Sequence, residues 1–397
     1  MILAKRIGKI KPSPTLAIDG KCKALAAKGV DIVNFGVGEP DYDTPVNIQE
    51  AAIKAIRDGF TRYTAVGGIP ELKEAIIAKF KRDQNLDYRP DEIVVSCGGK
   101  HSLYNLFQVL FDQGDEVIVP APYWVSYPPM LILAEATPVI VPTQEENGFK
   151  LTPETLKTSI TSRTKGIVLN SPSNPTGSVY TRKELEALAE VVLAHKLLVV
   201  SDDIYDRILF DNQEFINMAQ LGPELKALTF VLNGVSKTYA MTGWRIGYMG
   251  GDEAVIKAVT KLQSQSTSNP TSISQKASVE ALNGPQETVT AMVKEFAWRR
   301  DDILARLAKI PGVSCARPGG AFYVFPNFSK YFGKLKSGAA GSYSDALAEY
   351  LLEEAHVATV AGSGFGEDTC IRFSYATSRE RIATGLERLE QALKKLG

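Results

Sequence analysis

Lys237 stands where an amine could become a nucleophile. Residues 228–232 read as an apolar strand, a small-residue turn follows, and Arg245 comes eight positions after the lysine in a second glycine-marked turn. An ammonium held in a tight, partly dry turn is disfavoured, so its pKa falls and the free amine attacks carbonyls. Such a lysine suits a Schiff base with an aldehyde cofactor, and a neighbouring guanidinium suits that cofactor's phosphate. Further polar residues follow apolar runs in the same manner. Gly98, Gly99 and Lys100 come after 93–97; paired glycines let a ligand approach the backbone, and a helix start offers donors to an anion. A lysine there opposes the helix dipole, which a nearby anion would relieve. Trp124, after 116–120, could stack on a planar ring or fill a core. Asn174 lies in Ser171-Pro-Ser-Asn-Pro-Thr-Gly177, where proline and glycine fix a turn that leaves the amide for a cleft. Asp202 and Tyr205 follow 197–201. They could hold a ring nitrogen and a ring oxygen, or cap a helix and pack.

These residues need elements to position them. Seven short apolar runs, at 93–97, 116–120, 138–142, 166–170, 197–201, 228–232 and 246–250, read as strands. Between them lie helical patterns: Leu103, Leu106, Phe107 and Leu110 share one face, and Leu185, Leu188 and Val192 another. Thr152-Pro153 reads as a helix start, and Thr181 with Glu184 as a capping box. Strands apolar on both faces and alternating with helices predict an α/β fold with a largely parallel, seven-stranded sheet covered on both sides. In such a sheet ligands bind beyond the carboxyl ends of the strands, where the residues above collect. From about residue 290 the pattern changes. A long helix, the run 319–325, a small-residue loop near 337–342, a further helix, the run 370–374 and a closing helix bearing Ile382, Leu386, Leu389, Leu393 and Leu396 predict a smaller α+β domain.

The 397 residues suit two domains of ordinary size. Lysine plus arginine and aspartate plus glutamate each number 45, and no basic patch or acidic tail stands out, which argues against a nucleic-acid or membrane-surface role. No apolar run is long enough to span a bilayer, and the first residues lack a signal-peptide pattern. Cys22, Cys97, Cys315 and Cys370 form no CxxC pair and read as reduced thiols of a cytoplasmic protein. His101, His195 and His356 stand far apart, so no metal site is expected.

In order and spacing the chain resembles the fold-type-I pyridoxal-phosphate enzymes of the class I/II aminotransferase group, over nearly its whole length. Asn174-Pro-Thr-Gly177, Ser236-Lys237 with Arg245, and Ile371-Arg372-Phe-Ser-Tyr-Ala376 carry the match. Gly38-Glu-Pro-Asp-Tyr-Asp-Thr-Pro45, Gly98-Gly-Lys100 and Pro122-Tyr-Trp-Val-Ser-Tyr-Pro128 narrow it to the prokaryotic and plastid branch of aspartate and aspartate/prephenate aminotransferases. The resemblance implies pyridoxal 5'-phosphate as cofactor, bound through Lys237, which also shuttles the substrate proton. It implies Asp202 at the ring nitrogen, Tyr205 and Asn174 at the ring oxygen and Trp124 stacked on the ring. Gly98, Gly99, Lys100, Ser236 and Arg245 would surround the phosphate end. Arg372 would clamp the substrate α-carboxylate, with Asn174 and the backbone at Gly38. Tyr63 would reach the phosphate of a neighbouring subunit, which implies a homodimer with shared sites. The implied division is an N-terminal segment 1–45 packed with the small domain, a cofactor-binding domain 46–290 and a small domain 291–397.

Two departures bear on substrate. Many aspartate aminotransferases have serine three positions before the lysine, where this chain has Gly234, a mark of the subgroup. The loop 261–270 holds no arginine to read a distal carboxylate. In the branch resembled, Lys100 takes that work, and Thr15 with Lys100 matches the pair associated with prephenate; Thr15 could equally cap the following helix. The expected reaction is amino transfer from L-aspartate or L-glutamate to a 2-oxo acid such as 2-oxoglutarate, by ping-pong through pyridoxamine phosphate, with prephenate as a further acceptor. The alternatives are a β-lyase or cyclase-type enzyme of the same fold and, from another class, a regulator with an aminotransferase-like sensing domain.

Overall fold

The computed structural model describes residues 3–12, 14–335 and 342–396. The loop expected near 337–342 therefore lies, apart from Ser342, outside the described residues. The central sheet has seven strands: β1 (Ile93–Ser96), β2 (Glu116–Ala121), β3 (Thr137–Pro142), β4 (Thr164–Asn170), β5 (Leu198–Asp202), β6 (Thr229–Gly234) and β7 (Gly247–Gly250). They lie in the order β1-β7-β6-β5-β4-β2-β3. Strands β2 to β6 pair in parallel, and β7 runs antiparallel to both β6 and β1.

Side-chain alternation along the strands sorts the core into two layers. Val117, Val119, Val168 and Val200 face the helix Gly99–Leu110, meeting Leu103, Leu106, Phe107 and Leu110. The intervening Ile118, Ile167, Leu169 and Val199 face the opposite way, toward Leu185, Leu188 and Val192 of the helix Arg182–His195. Every residue of β1, β6 and β7 is buried, which suits their largely apolar sequences, with Ser96, Thr229 and Asn233 as buried polar exceptions. The edge strand β3 is the half-exposed one. Helix starts form where side chains can satisfy them. The Thr181 hydroxyl accepts from the Glu184 amide while the Glu184 carboxylate accepts from that of Thr181, at 2.7 Å. Thr152 accepts from Thr155. Thr15 is different: the helix Pro14–Ala26 begins before it, so it sits inside the first turn and not at the cap.

A second layer is built on an antiparallel sheet of Val360–Ala361, Ile371–Ser374 and Tyr323–Val324. The helices Glu287–Leu307 and Arg379–Lys395 cover it. The last of these buries Ile382, Leu386, Leu389 and Leu393; Leu396 falls one residue past its end. The segment Val33–Asn34 pairs in parallel with Val357–Ala358, and the Ser374 amide donates to Phe35 O at 2.8 Å. Hydrogen bonds thus tie residues 33–35 to the C-terminal layer despite their distance in sequence. Among the described residues no helix is long and apolar enough to cross a membrane.

Behind the carboxyl end of β5 lies a buried polar cluster. Lys79, on the helix Pro70–Gln84, pairs with Asp206. Asn217 donates to Asp203 at 2.7 Å and to Gln84 at 3.1 Å, and Ser201 donates to Asp203 at 2.7 Å. The cluster fixes residues 202–206 against the helix. Removing one member of a buried ion pair strands the other charge and costs about 3–5 kcal/mol. Lys79→Met should therefore lower the unfolding free energy by about that amount in urea titrations, far more than a surface lysine substitution would.

Candidate active site

The carboxyl ends of β4, β5 and β6 open on a cavity of about 480 Å³. Of the residues singled out in the sequence, Thr15, Gly38, Gly99, Lys100, Trp124, Asn174, Asp202, Tyr205, Ser236, Lys237, Arg245 and Arg372 line it. Gly98 lies against Arg245, which lines the cavity. Tyr63 is elsewhere, 91% exposed on the surface of the chain.

Lys237 Nζ donates to Gly38 O at 2.6 Å. Burial pulls its pKa down to about 8, against the attraction of Glu39; Arg245, Arg372 and Lys100 push the same way as burial. Asp202, at the end of β5, is buried, and that burial raises its pKa to about 6. Tyr127 opposes the rise by donating to Asp202 Oδ2 at 2.6 Å. The Tyr205 and Tyr323 hydroxyls are 2.8 Å apart, and burial holds the Tyr205 phenol protonated.

Arg372 is buried on the strand Ile371–Ser374. One amino group donates to Asn174 Oδ1 at 3.0 Å and the other to Gly36 O at 2.7 Å. The backbone partner of the guanidinium is thus Gly36, whereas Gly38 holds the lysine. Arg372 Nε has no hydrogen-bond partner, and no carboxylate pairs with the side chain among the described residues. A guanidinium so placed is a strong receptor for a carboxylate, which it can meet with two parallel hydrogen bonds. Lys100 also lacks an acidic partner among the described residues. Its ammonium lies 4.9 Å from the centre of the Trp124 ring, and burial, then Arg245, lower its pKa.

The corner between the helix Gly99–Leu110 and Arg245 is shaped by absent side chains. Gly98 has φ +95°, and a β-carbon there would overlap the Arg245 guanidinium. A β-carbon at Gly247 would strike the backbone of Gly98 and Gly99. Arg245 donates to Thr242 O at 2.7 Å and to Cys97 O at 3.4 Å, and has no carboxylate partner among the described residues. Gly234, opposite Gly247 in the ladder, would place a β-carbon 3.0 Å from Ile246 O, so a serine there would be crowded.

Sequence reasoning missed Tyr127, Tyr323, Glu39 and Gly36. Tyr127 lay within a stretch noticed only for its resemblance, and Tyr323 reads as an ordinary strand aromatic. Glu39, whose carboxylate accepts from Thr242 at 2.6 Å, gives no local signal, and a backbone carbonyl such as that of Gly36 gives none at all.

The family described as "Aminotransferase class I and II" matches residues 30–389. The chain belongs to the class I and II aminotransferases. It is 52% identical to an aspartate aminotransferase of Geobacillus stearothermophilus over 99% of each protein. It is 53% identical to a probable aspartate/prephenate aminotransferase of Rickettsia conorii, over 99% of this chain and 98% of that one. Its fold matches the aspartate aminotransferase of Rhizobium meliloti with a TM-score of 0.94, at 44% identity and over 99% of both chains. For the Thermus thermophilus enzyme with maleate the TM-score is 0.91, at 43% identity, covering 99% of this chain and 100% of the other.

The cofactor of this aminotransferase is pyridoxal 5'-phosphate. The residues present fit it. An amine with lowered pKa suits its aldehyde, the glycine-lined corner at a helix start with Arg245 suits its phosphate, and a buried carboxylate suits its ring nitrogen.

The lysine's titration is directly testable. Below about pH 8 Lys237 is held as the unreactive ammonium, and above it the free amine prevails. In cofactor-free protein, reductive methylation followed by peptide mass spectrometry should show Lys237 labelled with a midpoint near pH 8, while surface lysines lag toward about 10.4.

Proposed function

We propose that this aminotransferase moves the amino group of L-aspartate or L-glutamate to a 2-oxo acid such as 2-oxoglutarate, in two half-reactions with the amino group held on the enzyme between them, and that prephenate is a further acceptor. The observation that carries the reading is a single cavity in which, besides Arg245 at the glycine-lined corner, Arg372 and Lys100 have no acidic partner among the described residues, together with the amine of Lys237. A dicarboxylate satisfies both cations, and a mono-acid leaves one unpaired. The names of the relatives, including the probable aspartate/prephenate enzyme, support the same substrates.

When bound, the cofactor supplies an aldehyde that takes up amines and a ring that accepts the electron pair released at the substrate α-carbon. The protein would do the rest. Arg372, steadied by Asn174 and the Gly36 carbonyl, binds the α-carboxylate. Lys100 receives the distal carboxylate, with Thr15 beside it. Lys237 would be the group that accepts and returns the α-proton; an amine of pKa near 8 can both accept and release a proton at neutral pH. Asp202 would pair with the ring nitrogen, and Tyr205 and Asn174 would hold the ring oxygen. Trp124 would cover the ring, and Gly98, Gly99, Ser236 and Arg245 would hold the phosphate.

Tyr63, exposed in the single chain, would serve the site of a second subunit, making a homodimer with shared sites. The chain is further read as a segment 1–45, a cofactor-binding domain 46–290 and a small domain 291–397, working in the cytoplasm. The link of residues 33–35 to the C-terminal sheet supports the first of these divisions.

The test is spectroscopic. Adding L-aspartate alone to the loaded enzyme should abolish its visible band, and 2-oxoglutarate should restore it. A band that L-aspartate and L-glutamate leave unchanged would reject these donors. Loss of a charge-assisted contact costs about 1.5–3 kcal/mol, so Lys100→Ala should lower kcat/KM for L-aspartate roughly ten- to hundredfold while sparing L-alanine. Equal losses on both would show that Lys100 serves the cofactor or the fold.

A further inference from the structure

Tyr127 is the second residue of the site that a carboxylate depends on, and no assignment above explains it. It opens the helix Tyr127–Leu133, is 2% exposed, and packs edge-on against Trp124 with ring centres 5.4 Å apart. Its hydroxyl has one hydrogen bond among the described residues, to Asp202 Oδ2 at 2.6 Å. The carboxylate is equally dependent in return. Its other oxygen accepts only a long contact from the Ile204 amide at 3.4 Å, and the nearest cation, Lys237, donates to Gly38 O instead. A carboxylate removed from water with a single good donor is held, in direction and in charge, by that donor.

We infer that Tyr127 is a positioning residue, whose phenol fixes the Asp202 carboxylate in the orientation and charge state that meet the ring nitrogen of the cofactor. The assignment rests on the proposed role of Asp202. Two features make the phenol suited to it. The groups facing Tyr127 are Asp202, Asp203 and Tyr205, and burial together with the nearby Asp202 raises the phenol's pKa, so it remains a donor over the working range. The edge-on contact with Trp124 and the burial of the ring restrict its orientation, and with it that of the hydroxyl. Asp202 is faced by Tyr127 from its helix, by the Ile204 amide and by Lys237. Of these, Tyr127 alone can be changed without disturbing the strand or the reacting amine.

Removing a hydrogen bond to the charged form raises a carboxyl pKa. The test titrates Asp202 in cofactor-free, full-length protein by infrared spectroscopy, its protonated-carboxyl band being assigned by loss in Asp202→Asn. The affinity for pyridoxal 5'-phosphate is measured beside it at pH 6 and pH 8 by tryptophan fluorescence. Tyr127→Phe keeps the ring and deletes the donor. It should move the Asp202 midpoint up from about 6 by about one pH unit and weaken cofactor binding about fivefold at pH 6, with little change at pH 8. A 3-fluorotyrosine at position 127, a stronger donor, should move the midpoint down. Packing alone would leave the titration in place, so a wild-type midpoint and affinity in Tyr127→Phe would overturn the assignment. So would a fluorotyrosine shift in the same direction as that of phenylalanine. Asp202→Asn that binds the cofactor as tightly as wild type would remove the role of Asp202 and the assignment together; weak binding there with a wild-type Tyr127→Phe would remove only the latter.

Discussion

Everything in the site follows from the desolvation of one amine. Lys237 lies in a cavity where Lys100, Arg245 and Arg372 all disfavour its charge, and its direct hydrogen-bond partner among the described residues is a neutral carbonyl. In water such a group would stay an ammonium to well above neutral pH; here burial brings its pKa to about 8. The same excess of positive charge makes the cavity a receptor for anions, because no carboxylate of the chain neutralises Arg245, Lys100 or Arg372 among the described residues. Reactivity and ligand choice thus share one electrostatic origin.

That arrangement survives because the costs are met outside the cavity. Asp203 and Asp206, one and four residues beyond Asp202, are buried but held by Ser201, Asn217 and Lys79. Asp206 pairs with Lys79, and Asn217 bridges Asp203 to Gln84, both on the helix Pro70–Gln84, so the loop that carries Asp202 and Tyr205 has little freedom to turn. At the opposite corner, β-carbons are excluded from Gly98 and Gly247, which lets Arg245 and the helix start approach the same point. Rigid surroundings of this kind allow charged groups to face a cavity without collapsing on one another.

Much of this was legible in the sequence. The seven strands, their parallel tendency and the helix faces were plain because a covered parallel sheet writes continuous apolar runs, and helices such as Arg182–His195 announce themselves by a capping box. Residues at strand ends, such as Asp202 and Lys237, could be picked out because topology places all such ends on one side. Contacts between distant segments could not. Tyr127 meets Asp202 across 75 positions, and Gly36 meets Arg372 across 336. Neither local periodicity nor residue type carries that pairing, and the carbonyl of Gly36 is chemically the same as any other. Thr15 shows the converse: its type suited a cap, yet the helix began one residue earlier, with proline.

The segment 36–44 shows why the two layers must meet for the site to exist. Its Gly36 carbonyl grips Arg372 and its Gly38 carbonyl grips Lys237, so one short stretch holds a group from each layer. On one flank Asp41 pairs with the buried Arg299 at 2.7 Å, tying the segment to the helix Glu287–Leu307. On the other, Glu39 accepts from Thr242 at 2.6 Å and Thr44 donates to Ala240 O at 2.7 Å, tying it to the turns around Lys237 and Arg245. The amine and the guanidinium are therefore spaced by a strap anchored at both ends. The carbonyls of Gly36 and Gly38, two residues apart on that strap, thus set the spacing between a guanidinium able to receive an acid and the amine beside it.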